Sequence, residues 1–111
     1  MAAISTHILN ASHGKPAAGV AVELLQETSL GYVLMDQQLT DVDGRIKAFD
    51  IDSFTHGNYQ LIFHIADYFQ SLEVESFYPR VCIDFKVNDI HQHYHVPLLI
   101  SPFSYSTYRG S

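Results

Sequence analysis

Apolar and polar residues alternate with period two along most of the chain, and turn residues interrupt the alternation at short intervals. That pattern predicts an all-β sandwich or barrel. Ile4 to Ala11 reads as a first strand, closed by the loop Ser12-His13-Gly14-Lys15-Pro16. Val20 to Glu27 is a second, in which Val20, Val22 and Leu24 alternate with Ala21, Glu23 and Leu25. Tyr32 to Thr40 is a third. The tight turn Asp41-Val42-Asp43-Gly44 leads into a short strand from Arg45 to Phe49, and Asn58 to Ile65 follows. The single helix is expected over Ala66 to Leu72. Arg80 to Val87 then turns Val81, Ile83, Phe85 and Val87 one way and Cys82, Asp84 and Lys86 the other. The last strands are His93 to Ile100 and Ser104 to Tyr108, hinged at Ser101-Pro102.

Alternate residues of a strand share a face. In the segment leading into Ile100, Tyr94, Val96, Leu98 and Ile100 form a continuous core face, so His91, His93, His95, Pro97 and Leu99 point away from the core. The first strand repeats the arrangement: Thr6 and Ile8 suit the core, and Ser5, His7 and Leu9 share the opposite face. In the last strand Ser106 and Tyr108 alternate with Tyr105 and Thr107.

Composition narrows the class. At 111 residues, 47% of them hydrophobic, the chain is expected to fold as one domain over residues 1–111. Charged residues make up only 16%, against roughly 25% in an average soluble domain. A small domain exposes much of its surface and needs charge there, so part of that surface is expected to be buried in an oligomer; a monomer covered by Ser, Thr and Gln is the competing reading. A net charge of −6 argues against nucleic acid as a partner. No apolar run approaches the ~20 residues of a membrane span, and Met1-Ala2-Ala3-Ile4-Ser5 lacks the start of an export signal. With one cysteine, Cys82, placed on a mixed outer face, a cytoplasmic protein without disulfides is expected.

The histidine row carries the candidate chemistry. Metal binding is one reading, because alternate histidines on a strand can converge on zinc; the absence of a nearby cysteine, with Asp89 back in the preceding turn, argues against it. A solvated strand is the second reading and suits His91, along with His13 and His56. Acid/base chemistry is the third, since an imidazole titrates near neutrality. It needs an anion stabiliser, for which Arg45, at the mouth of the Asp43-Gly44 turn, offers a planar fork of donors. An ion pair with Asp41 or Asp43 competes for that side chain. A covalent nucleophile is not expected at Ser111, because no Gly-x-Ser-x-Gly turn is present.

Three segments then carry a resemblance. They are Ser5-Thr6-His7-Ile8-Leu9 with Gly14-x-Pro16-Ala17 behind it, Asp41-Val42-Asp43-Gly44-Arg45, and His93-Tyr94-His95-Val96-Pro97-Leu98-Leu99 through to the terminal Tyr108-Arg109-Gly110-Ser111. With them the chain resembles the 5-hydroxyisourate hydrolases, the transthyretin-like enzymes of urate breakdown. The terminal Tyr-Arg-Gly-Ser is the most specific of the three and separates those enzymes from transthyretin itself. Asn10, where many relatives carry Asp, is the visible departure.

The resemblance implies a transthyretin-like sandwich of two four-stranded sheets with one short helix, assembled as a homotetramer with active sites at subunit interfaces. In it His7, His95, Ser106 and Tyr108 would line a central channel. It implies hydrolysis of the N1–C6 cyclic amide of 5-hydroxyisourate to 2-oxo-4-hydroxy-4-carboxy-5-ureidoimidazoline, with no cofactor and no metal. The catalytic residues it implies are His7, Arg45, His95 and Ser111, with Tyr108 and Arg109 joining them in substrate binding. A small-ligand carrier of the transthyretin type, without turnover, is the alternative from another class.

Overall fold

The computed structural model describes residues 3–111; Met1 and Ala2, part of the segment on which the expectation about an export signal rests, lie outside them. Nine strands and one helix are formed among the described residues: β1 Ile4–Asn10, β2 Lys15–Pro16, β3 Ala21–Thr28, β4 Gly31–Leu39, β5 Arg45–Ile46, β6 Gly57–Phe63, α1 Ile65–Ser71, β7 Val81–Val87, β8 Tyr94–Ser101 and β9 Ser104–Thr107. One sheet runs β4-β3-β6-β7. The other runs β2-β1-β8-β9, with β5 also paired to β1. The sandwich is therefore the expected one, with the two-residue strands β2 and β5 both borne by β1.

Its core follows from the alternation. Val22 and Leu24 of β3, Tyr59, Leu61 and Phe63 of β6, and Val81 and Val87 of β7 are buried together with Ile4 and Ile8 of β1 and with Leu98 and Ile100 of β8. Two inner faces interdigitate in this way whenever each strand alternates cleanly. The helix forms one residue earlier than its sequence suggests, because Ile65 and Phe69, spaced i and i+4, turn one stripe onto the core.

The strands flanking β1 differ from expectation at two points. Lys15–Pro16, expected as loop, pairs with Leu9 and Asn10 of β1. The strand beginning at Arg45 stops at Ile46 instead of running to Phe49. Between the halves of the chain, β1 and β8 lie side by side and parallel, with Ser5 opposite His95 and His7 opposite Pro97.

Candidate active site

β1 is the organiser. Its parallel partner β8 lies on one side and antiparallel β5 on the other, where His7 stands opposite Arg45. Because Thr6 and Ile8 are fully buried on the inner face, Ser5 and His7 project outward, and the register brings His95 and Arg45 onto the same outer surface. Three segments remote in sequence thus meet across one strand.

The turn before β5 explains how Arg45 is presented. Gly44 has φ +75°, and a Cβ there would run into the carbonyl oxygen of Ile8; only glycine fits both demands. The backbone closes onto β1 through the Ile8 N–H, which donates to the Gly44 carbonyl at 2.8 Å. Asp41 Oδ1 accepts the backbone N–H groups of Asp43 and Arg45, each at 2.9 Å. The Arg45 N–H is the leading cause holding the Asp41 carboxyl below its ordinary range, against an opposing push from desolvation. Asp41 therefore caps the backbone, and among the described residues no salt bridge to the Arg45 guanidinium within 4.0 Å is formed. The competing ion-pair role for Arg45 is not the one adopted.

His95 is held from behind. Its Nδ1 lies 2.7 Å from Ser5 Oγ, which is also 2.9 Å from His93 Nε2. The two imidazoles are near parallel, with an interplanar angle of 18° and centroids 6.2 Å apart. Burial above all, then the charges of His93, His7 and Arg45, push the His95 pKa below its ordinary value. A neutral imidazole at neutral pH is a proton acceptor, which general-base chemistry requires.

The tail reaches this surface by an interrupted ladder. β9 pairs with β8 as far as Thr107 opposite Leu98, then breaks at Pro97, which has no N–H to offer. Thr107 Oγ1 donates to the Pro97 carbonyl at 2.7 Å instead. Pairing resumes where the Gly110 N–H donates to the His95 carbonyl at 2.9 Å. Between these points Arg109 lies over the Tyr94 ring, 4.6 Å from its centroid, and donates to Gln92 Oε1 at 3.0 Å. Ser111 is thereby delivered to the outer face of β1.

A cleft of about 280 Å³ opens on this surface, lined by residues Ser5, Thr6, His7, Arg45, Ile46, Lys47, His93, His95 and Ser111. His7, Arg45, His95 and Ser111 all meet there. Tyr108 and Arg109 do not: they line a separate cavity of about 350 Å³ with Ile83, Phe85, Tyr94 and Thr107, and His95 is the residue common to both. Tyr108 lies just beyond β9, so strand alternation does not set its direction.

Ser5 and Lys47 are cleft residues given no role from sequence, and His93 enters there only as one member of the histidine row. Period-two alternation places Ser5 on the face of His7, but only the β1–β8 register turns it into a bridge between two histidines. His91 sits in the exposed turn before β8, its N–H donating to Asp89 Oδ1 at 2.9 Å. Among the described residues, no group of three or more His, Cys, Asp or Glu is arranged to hold a metal ion.

Comparisons with known proteins bear on the same surface. The profile of the HIUase/Transthyretin family matches residues 4–110. A 5-hydroxyisourate hydrolase of Salmonella dublin is 43% identical over 109 residues, covering 97% of this chain and 80% of the relative. The structure of Klebsiella pneumoniae 5-hydroxyisourate hydrolase superposes with a TM-score of 0.87 at 39% identity, covering 97% of this chain and 98% of that one. Transthyretin from Sparus aurata superposes with a TM-score of 0.93 at 29% identity, covering 99% and 97%. Backbone likeness does not separate enzyme from carrier here; the side chains of the cleft must do so.

Proposed function

The chain belongs to the HIUase/Transthyretin family, and from that premise we propose that it hydrolyses 5-hydroxyisourate at the N1–C6 amide, opening the six-membered ring in urate breakdown. The observation that carries this reading is the meeting of His7, Arg45, His95 and Ser111 in one polar cleft on the outer face of β1. A carrier site for an apolar aromatic ligand needs apolar walls rather than titrating groups and a guanidinium.

In the mechanism one histidine takes a proton from water, and the hydroxide so formed attacks the C6 carbonyl. Arg45 holds the substrate and stabilises the oxyanion; such preorganised donors contribute about 2.7–4 kcal/mol each in other hydrolases. The other histidine gives a proton to N1 as the C–N bond breaks. Ser111, through its hydroxyl or its carboxylate, orients the water or a histidine. Tyr108 and Arg109 shape the pocket from behind, acting through His95, the residue shared by the two cavities.

Residues 1–111 work as one hydrolase domain in this reading, in the cytoplasm and as a homotetramer. Low surface charge supports assembly, as does the exposure of Phe77, Phe103 and Tyr108 in the single chain. The active sites then lie at subunit interfaces. Among the described residues no helix is long and apolar enough to cross a membrane.

The test is the ultraviolet decay of freshly generated 5-hydroxyisourate with and without the protein. Decay faster than the spontaneous blank is expected; decay at the blank rate, with tight retention of a small aromatic ligand, would establish the carrier instead.

A further inference from the structure

Ser5 stands between two imidazoles with only one hydroxyl proton to share. Its Oγ lies 2.7 Å from His95 Nδ1 and 2.9 Å from His93 Nε2, and it is 6% exposed, so water does not readily replace either contact. A hydroxyl donates one hydrogen bond and accepts others. If Ser5 donates to His93 Nε2, then Nδ1 of His95 must carry the proton that Ser5 accepts, and both neutral rings are Nδ1–H tautomers. If Ser5 donates to His95 Nδ1, His93 Nε2 carries the proton, and both are Nε2–H tautomers. Donation by both rings at once would leave the buried Ser5 proton with no acceptor among the described residues, so the two rings do not choose independently.

We propose that Ser5 and His93 form a proton relay behind His95 that sets its tautomer and carries away the proton it takes from water. This deepens the hydrolase reading and rests on it for the identity of the reaction. Ser5 and His93 are positioning residues, acting on the substrate only through His95.

In the Nδ1–H state, His95 Nε2 has a free lone pair. Water loses a proton to Nε2, and the hydroxide attacks the carbonyl. The Nδ1 proton of His95 passes to Ser5 Oγ while the Ser5 proton passes to His93 Nε2. His95 ends neutral as an Nε2–H donor, Ser5 ends as a hydroxyl, and His93 holds the positive charge. His7 supplies the proton that the leaving nitrogen needs, and solvent exchange returns the His93 proton and restores His7 between turnovers. The charge thus comes to rest one ring farther along, beyond Ser5. Burial and the neighbouring charges of His93, His7 and Arg45, which lower the His95 pKa, make His95 a poor place to keep it.

The decisive measurement is long-range proton–nitrogen spectroscopy of the imidazoles at mildly alkaline pH, in the whole protein without substrate. In the wild type, His93 and His95 should show matching tautomer populations; in Ser5→Ala the two should diverge. Matching populations that survive Ser5→Ala, or unmatched ones in the wild type, would overturn the relay. In turnover, Ser5→Ala and His93→Gln should each lower kcat by ~10-fold or more with little change in KM, and should reduce the solvent deuterium effect on kcat. An unchanged kcat and isotope effect in both would overturn it equally. Absence of turnover by the wild type would count against the hydrolase reading alone, because the spectra need no substrate.

Discussion

Gly110 rests directly on the imidazole of His95: a Cβ built on it would lie 2.5 Å from His95 Cδ2 and 3.0 Å from Pro97 Cγ. The same glycine donates its N–H to the His95 carbonyl. Tail and imidazole are therefore fixed by one contact, with no space between them for a methyl group.

Gly110→Ala should push either the tail or the His95 ring off the cleft. We expect kcat to fall by ~10-fold or more, while the cost in thermal stability stays within about 1 kcal/mol, because the strain is relieved by releasing an exposed segment. Steady-state kinetics beside a melting curve check this. Full activity would mean that the tail need not hold its place.

His7→Ala, Arg45→Ala and His95→Ala should each lower turnover of 5-hydroxyisourate by ~10² or more with the sandwich intact, as removal of a general acid/base or an oxyanion donor does elsewhere. Circular dichroism separates loss of chemistry from loss of fold. A near-wild-type rate in any variant removes that residue from the mechanism.

Removing Ser111 should lower turnover by ~10-fold or more, and Ser111→Ala then divides the effect between hydroxyl and carboxylate. If the alanine variant keeps wild-type kinetics while the deletion does not, the carboxylate is the working group.

Acid should act on the protein at two places. The Asp41 carboxyl is held down chiefly by the Arg45 N–H. Its folded pKa is below the unfolded one, so the stability it contributes is present above the ordinary carboxylate value and is lost as pH falls through the depressed one. Asp41→Ala should flatten that part of a stability-versus-pH curve. The His95 pKa is also lowered, by burial first and then by His93, His7 and Arg45. Activity that needs the neutral ring should thus stay level through neutrality and fall only below the ordinary imidazole value of about 6.5. Lys47 and Ser111 line the same cleft as His95. In Arg45→Gln, imidazole titration by nuclear magnetic resonance should show the His95 pKa moving upward, because a repelling cation is gone.

Gly44→Ala should destabilise the fold by more than about 1 kcal/mol, since its backbone is in the left-handed region and its neighbour is the Ile8 carbonyl, which cannot yield. Chemical denaturation measures this.

Much of this molecule is legible in its sequence because its strands alternate cleanly. Val22 with Leu24, and Leu98 with Ile100, declare an inner face without any knowledge of pairing, and His7 and His95 are thereby turned outward. What alternation does not contain is which strands are neighbours. The parallel pairing of β1 with β8, and with it the Ser5 bridge, comes from the tertiary topology. Pro97 announces a break in a ladder, but not that the chain resumes the same register at Gly110. Arg109 is a third case. A guanidinium near a reactive centre suggests a ligand contact, yet the ring face of Tyr94 and the amide of Gln92 are within its reach and hold it.

The partnership of β1 and β8 also governs when a working cleft can exist. Ser5 and His95 are 90 residues apart in the chain, so their contact closes a long loop whose entropy must be met before any neighbouring pair rewards it. Contacts of this span raise the contact order of the fold, which slows its formation. The same pairing ties the cleft to one seam: an excursion that peels β8 from β1 separates Ser5 from His95 and carries the tail, held to His95 through Gly110, away with β8.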